Sequence, residues 1–189
     1  YSEQFDNAAW SKTRTTVTAN AITAPDGTTT ADKLVEDTTA SSTHNTGRTI
    51  SGLVSGVVHT FSMFTKTAEY SSSFIKLSSG ADVVQGLVYS DGTSPALSAT
   101  GAATLSASVS ENVGDGWYHH KISITIPSTS IIVQVFLFGG STSYTGDGTS
   151  GIYLWGAQLE EGSFPTSYIK TEASQVTRSA DNLSITGTN

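Results

Sequence analysis

The chain contains nine short runs of residues that favour extended structure, separated by turn signals, and this pattern restricts the fold more than any other feature. The runs span residues 31–35, 57–66, 73–77, 83–89, 104–109, 117–126, 131–138, 151–159 and 182–185. Turn chemistry between them is found at Pro25-Asp26-Gly27, Asp91-Gly92, Gly114-Asp115-Gly116 and Gly146-Asp147-Gly148. Helical periodicity is limited to a turn or two near residues 6–10. We therefore predict an all-β fold, a two-sheet antiparallel β-sandwich of the jelly-roll type, with residues 1–189 forming a single domain.

The run 117–126 shows how a strand divides its side chains between two faces, because alternate residues point to opposite sides of a sheet. One face is mainly apolar and carries Tyr118, His120, Ile122, Ile124 and Ile126. The other face carries Trp117, His119, Lys121, Ser123 and Thr125. We predict that the first face packs in the core and that the second faces water, with Trp117 available for recognition.

Several other runs repeat this division, pairing an aliphatic face with a face that mixes rings with Gln, Lys, His or Ser. Such a mixture suits carbohydrate, because a rigid ring covers the apolar face of a pyranose while a few placed polar groups bind its hydroxyls. The predicted ligand-binding residues are Gln85, Tyr89, Trp117, His119, Lys121, Gln134, Phe136 and Tyr153. The alternative is that these rings pack in a second core layer, covered by a loop or by the chain ends. For Trp10 and Trp155 we favour a structural role.

Composition excludes several classes of function. Ser and Thr together make up 58 of the 189 residues, which suits exposed strand faces, and only 13% of residues are charged. The net charge of −7, without a Lys/Arg cluster, argues against nucleic-acid binding. No apolar run approaches the ~20 residues of a membrane span. Because the chain begins at Tyr1 rather than Met, we expect it to be an excised module or a processed product.

Motifs for catalysis are missing from the sequence, so we expect a protein that is not an enzyme. The four histidines (His44, His59, His119 and His120) show no metal-type spacing, and neither a Gly-x-Ser-x-Gly elbow nor a phosphate-binding loop is found. Acids that could meet as a glycoside-hydrolysing pair are Glu69, Asp82, Glu111, Glu160 and Glu161. A small polysaccharide lyase or hydrolase therefore stays open as a further hypothesis.

Three stretches of the chain support a family resemblance. They are residues 2–10 with 24–34, the Gly114-Asp115-Gly116-Trp117-Tyr118 turn, and the 151–160 strand with its Trp-Gly-Ala-Gln-Leu-Glu run, continuing to 165–169 and 178–181. This series resembles carbohydrate-binding-module-like domains of bacteriophage tail and structural proteins and of bacterial extracellular polysaccharide-degrading enzymes. The general plan is similar to that of jelly-roll modules that bind xylan and β-glucans.

The resemblance implies a non-catalytic module that binds a xylan- or β-glucan-like polysaccharide and anchors a larger protein, in an extracellular or virion setting. Its alternative is a structural or oligomerisation domain of a phage tail protein that binds no sugar. The resemblance also implies a structural calcium. Phe5-Asp6 matches the first element of the calcium site in those modules, and Asp26 and Asp181 are further candidate ligands. Trp155-Gly156 stands where those modules carry acids.

Overall fold

The computed structural model describes residues 1–176, which form twelve strands. The strands are β1 (Ser11–Thr13), β2 (Thr15–Ile22), β3 (Ala31–Glu36), β4 (Asn45–Ser51), β5 (Val58–Thr67), β6 (Ser72–Ser79), β7 (Asp82–Tyr89), β8 (Ala96–Thr100), β9 (Thr104–Gly114), β10 (Trp117–Thr125), β11 (Ser130–Leu137) and β12 (Gly151–Glu161). No helix occurs within the described range. The predicted run 182–185 lies outside the described residues.

The strands make two antiparallel six-stranded sheets, which confirms the predicted all-β sandwich. The first sheet, here sheet A, has the order β1-β4-β11-β6-β7-β8. The second, sheet B, has the order β2-β3-β12-β5-β10-β9. Four strands were not predicted from the sequence: β1, β2, β4 and β8. Three of these, β1, β2 and β8, are edge strands, whose side chains are mostly exposed or half-buried and so lack a clear apolar alternation.

The main core lies between the two sheets and is built from the aliphatic faces that the alternation predicted. Its fully buried members include Leu34, Phe61, Met63, Ile75, Leu77, Ile122, Ile124, Val133, Val135, Leu137, Ile152 and Leu154. Strands β6, β7 and β11 alternate buried with less buried positions along most of their length, as in β11, where Ile131, Val133 and Val135 are buried. Burial of these side chains is the principal stabilising term for the sandwich.

A second apolar layer covers part of the outer side of sheet B. It consists of the buried residues Ala24, Ala31, Phe64, Trp117 and Trp155, with Ile22, Tyr153 and Tyr168 packed against them. The indole Nε1–H of Trp117 donates to the Thr23 carbonyl at 3.1 Å. The Trp155 indole donates to Thr30 Oγ1 at 3.0 Å. The loop after β2 thus closes over both tryptophans.

The segment that follows β12 covers the neighbouring part of the same face. Ser123 Oγ donates to the Ser163 carbonyl at 2.9 Å, and Thr60 Oγ1 donates to the Gly162 carbonyl at 2.8 Å. The prediction that Trp117 and Ser123 face water is therefore wrong: Trp117 is 1% exposed and Ser123 is 3% exposed. The buried positions of Trp10 and Trp155 agree with a structural role.

A buried carboxylate holds the loop before β12 to the body of the sandwich. Glu36, at the end of β3, accepts hydrogen bonds from the hydroxyls of Tyr70 at 2.9 Å and Tyr144 at 2.5 Å. Its other oxygen accepts from the Asp147 amide at 2.7 Å. Burial, followed by the hydrogen bond to Glu36, raises the pKa of Tyr144 above its ordinary value. Three elements distant in sequence are thereby joined through one side chain.

Candidate functional site

The outer side of sheet A presents rings and amides on three adjacent strands, and we call this surface the amide–aromatic face. Its residues are Phe74, Lys76, Gln85, Leu87, Tyr89, Gln134 and Phe136. All seven are half-buried and belong to neither apolar core cluster. Their strand neighbours Ile75, Val84 and Val135 are fully buried, so the seven side chains point away from the core.

A polar row crosses the middle of the amide–aromatic face. Gln134 on β11 lies opposite Lys76 on β6, and Lys76 lies opposite Gln85 on β7. Residues directly opposite in antiparallel strands have Cβ atoms ~4.5–5.5 Å apart, so the three side chains are immediate neighbours. None of the three side chains makes a hydrogen bond or ion pair with another described residue. Their donors and acceptors are available to a ligand.

An apolar row runs beside the polar row, two residues further along each strand. Phe136 lies opposite Phe74, and Phe74 lies opposite Leu87. The two phenyl rings meet edge-to-face, with centroids 5.9 Å apart and an interplanar angle of 82°. Two residues of strand span about 7 Å, so the apolar and polar rows are separated by roughly that distance. Tyr89 lies one further step along β7.

Gly47 on β4 makes room for the side chain at one end of the polar row. It lies opposite Gln134, and a Cβ built on Gly47 would lie 3.0 Å from the Gln134 Cγ. The stem of Gln134 therefore rests on bare backbone, and any larger residue at position 47 would displace it. At its β4 end, the polar row is therefore bordered by the backbone of Gly47 rather than by a side chain.

Of the eight predicted ligand-binding residues, the structure places four on the amide–aromatic face: Gln85, Tyr89, Gln134 and Phe136. The other four, Trp117, His119, Lys121 and Tyr153, belong to β10 and β12 of sheet B. The eight residues thus lie on two separate sheets and do not form one site. The periodicity assigned each residue to the outer side of its strand, but it could not say which sheet that strand joins.

The sheet B residues are engaged by the protein itself. Trp117 is sealed in the second apolar layer, and Tyr153 packs against that layer. His119 stacks on Phe64, with ring centroids 4.0 Å apart and an interplanar angle of 8°. Burial, then the charge of Lys121, lowers the pKa of His119 to about 4. Lys121 Nζ pairs with Glu111 at 2.6 Å.

The sequence analysis left two members of the amide–aromatic face out of the predicted ligand-binding residues, Phe74 and Lys76. Both were visible in the alternation of the 73–77 run, where they lie opposite Ile75 and Leu77. Their importance follows from the pairing of β6 between β11 and β7, which sets Lys76 between two amides and Phe74 beside Phe136. A single-strand pattern contains no information about that pairing.

A concavity of about 600 Å³ lies elsewhere in the described chain, where the N-terminus meets the segment after β12. Its lining includes Tyr1, Arg48, His59 and Glu160. Arg48 lies over the Tyr1 ring, with its guanidinium carbon 5.7 Å from the centroid. The Tyr1 ammonium donates to the Glu172 carbonyl at 2.7 Å, so the two ends of the described chain form part of its wall.

One histidine contacts hydroxyl groups in an arrangement that bears on catalysis. His120 Nδ1 lies 2.6 Å from Ser110 Oγ, and His120 Nε2 lies 2.6 Å from Thr65 Oγ1. Burial, followed by the charge of His119, lowers the pKa of His120 to about 3, so its ring is a weak base at neutral pH. The side chain is fully buried, and hydroxyls occupy both of its nitrogens. The arrangement satisfies a buried polar group, which is a structural role.

The predicted calcium ligands are only partly within the described residues, since Asp181 lies outside them. In the described part, no group of three or more His, Cys, Asp or Glu side chains forms a metal-binding cluster. The Lys12 ammonium donates hydrogen bonds to the carbonyl oxygens of Asp6 and Asn7, both at 2.6 Å, and its charge disfavours a cation there. One Asp26 carboxylate oxygen accepts from the amide and hydroxyl of Thr28. The calcium site therefore stays a prediction, and we derive no role for the ion.

The described residues form no helix with the length and apolarity needed to cross a bilayer. The candidate site is the open amide–aromatic face of sheet A, built from the consecutive strands β6 and β7 and from β11, which follows them more than 40 residues later. Comparison of the chain with protein-family models and with curated proteins finds no match.

Proposed function

We propose that this chain is a non-catalytic carbohydrate-binding module that binds a polysaccharide chain on the amide–aromatic face. The observation that supports the proposal is a row of unpaired polar side chains, Gln134, Lys76 and Gln85, beside a row of rings on the same sheet. The rings offer an apolar surface to the C–H face of a sugar, while amides both donate to and accept from hydroxyls. An open sheet face suits an extended chain better than a single small molecule, which favours a concave pocket.

The module would anchor a larger enzyme or virion protein to its glycan, in an extracellular or virion setting. A xylan- or β-glucan-like chain is the expected ligand class from the family resemblance. Within the amide–aromatic face, Phe74 and Phe136 would support sugar rings and Gln85 and Gln134 would bind hydroxyls. No chemical step is assigned to the module.

Affinity gel electrophoresis across xylan, β-glucans, mannans and alginate tests this proposal. The full chain should be retarded by at least one polysaccharide, and Phe136→Ala should weaken the affinity for it by about 5- to 30-fold, since a stacked ring contributes roughly 1–2 kcal/mol. Phe164→Ala is the matched control, because Phe164 is 72% exposed and follows β12, away from sheet A. Unchanged mobility in every polysaccharide would contradict the proposal, as would equal effects of the two variants.

A structural or oligomerisation role is the second candidate function, and strand β9 favours it. This strand is an edge of sheet B, eleven residues long, and it exposes Val109 and Val113 at 45% and 44%. A long edge strand with exposed apolar side chains is able to pair with another chain. Light scattering over a range of concentrations separates the two candidates: a monomer would argue against this role, and an oligomer that Val109→Lys dissociates would support it.

A further inference from the structure

The charge on the outer side of sheet A has one sign. The outward residues of β4, β11, β6, β7 and β8 are Asn45, Gly47, Thr49, Ser51, Ser130, Ile132, Gln134, Phe136, Ser72, Phe74, Lys76, Ser78, Val83, Gln85, Leu87, Tyr89, Ala96, Ser98 and Thr100. Lys76 is the single charged residue in this set, and no carboxylate belongs to it. The whole chain, by contrast, has a net charge of −7.

Two of the three lysines on the outer side of sheet B are paired with acids close by, whereas the third, Lys66 on β5, makes no ion pair with a described residue. Lys33 Nζ pairs with Glu69 at 2.8 Å, and Lys121 Nζ pairs with Glu111 at 2.6 Å. Lys76 has no such partner among the described residues. An ammonium without a counter-ion keeps its charge and its three N–H donors available to an anion. The position therefore complements an anion supplied from outside.

The neighbours of Lys76 define what kind of anion fits. Gln134 and Gln85 flank it directly across the sheet, and their amide N–H groups add donors on both sides. A carboxylate accepts through two oxygens, so it can take a bond from the ammonium and another from one adjacent amide. The row of rings runs alongside at roughly 7 Å, within reach of a carboxylate attached directly to a sugar ring stacked there.

We propose that the polysaccharide bound by the amide–aromatic face is acidic, a uronic-acid-containing chain whose carboxylate pairs with Lys76. This inference rests on the proposed carbohydrate-binding function, but it replaces the neutral xylan- or β-glucan-like chain expected from the family resemblance with an acidic one. Lys76 determines the charge of the ligand, Gln85 and Gln134 complete the donor set, and Phe74 and Phe136 support the ring. Sulfated chains present a different anion, and neutral chains present none.

Binding calorimetry and affinity electrophoresis of the full chain test the proposal. The affinities for two uronate chains, polygalacturonate and alginate, are compared with those for neutral xylan, neutral β-glucan and sulfated dextran. The uronate chains should bind at least tenfold more tightly than the neutral chains, and their affinity should fall as salt rises from 50 to 500 mM because the ion pair is screened. Lys76→Met, which keeps the apolar stem, should weaken uronate binding by about 10- to 100-fold. Lys76→Arg should retain most of it.

Lys121→Met is the matched control, since Lys121 is a paired lysine on the other sheet, and it should leave uronate affinity unchanged. This inference would be overturned if neutral chains bound as tightly as uronates and Lys76→Met had no effect. The proposed function would still stand in that case, provided that Phe136→Ala reduces binding. Binding of dextran sulfate alone would overturn the choice of carboxylate. Absence of binding to every glycan would overturn both the inference and the proposed function.

Discussion

Replacing Trp117 tests whether this residue belongs to a structural layer or to a binding surface. Its side chain is 1% exposed, packs with Phe64 and Trp155, and donates its indole N–H to the Thr23 carbonyl. A buried tryptophan removes ~150–250 Å² from water, which at about 25 cal/mol/Å² corresponds to about 4–6 kcal/mol. Alanine keeps part of this contact, so we expect Trp117→Ala to lower the free energy of unfolding by about 4 kcal/mol.

For a domain of this size, each kcal/mol shifts the melting temperature by about 2–4 °C, so Trp117→Ala should lower Tm by about 8–16 °C. Trp117→Phe keeps an aromatic ring and loses the hydrogen bond, and it should cost about 1–2 kcal/mol. Phe164→Ala, at a position 72% exposed, is the control and should stay within about 0.5 kcal/mol of the parent. Urea unfolding provides the measurement. A loss below about 1 kcal/mol for Trp117→Ala, together with lost polysaccharide binding, would refute the structural assignment.

Two further predictions concern buried polar groups. Glu36→Gln replaces one acceptor oxygen of a carboxylate that receives three hydrogen bonds, so it should lower the free energy of unfolding in urea by about 2–3 kcal/mol. Glu111→Gln, in a half-exposed ion pair, is the control and should cost at most about 1 kcal/mol. Equal costs for the two variants would contradict the role given to Glu36. Burial lowers the pKa of His120 to about 3 in the folded state, whereas its ordinary value in the unfolded chain is about 6.5. Between these two pH values, the unfolded chain therefore binds one more proton at His120 than the folded chain does. Stability from this group is complete above about pH 6.5 and falls towards pH 3, by up to about 1.4 kcal/mol per pH unit. His120→Gln should flatten that part of the pH profile, and an unaltered slope would show that His120 does not contribute to it.

The sequence by itself determined the class of fold and the side of each strand that packs inward. Alternation in β10 and β11 identified Ile122, Ile124, Val133 and Val135 as core residues, because a strand turns successive side chains to opposite faces whatever it pairs with. Edge strands such as β1 and β8 escaped prediction, since neither of their faces is extensively buried. Apolar alternation reveals a strand only where one of its faces is buried, and the side chains of these two strands are mostly exposed or half-buried.

Only the tertiary structure decided which outward faces meet solvent. Trp117 and Phe136 occupy equivalent outward positions in their strands, yet Trp117 is sealed and Phe136 is half-exposed. The difference comes from the loop at 23–30 and the segment at 162–170, which cover sheet B and are more than 40 residues away from Trp117 in the chain. Pairing of β6 with β11 likewise joins Phe74 to Phe136 across 62 residues. Contacts of this range depend on how the sheets assemble, which no periodicity within one strand records.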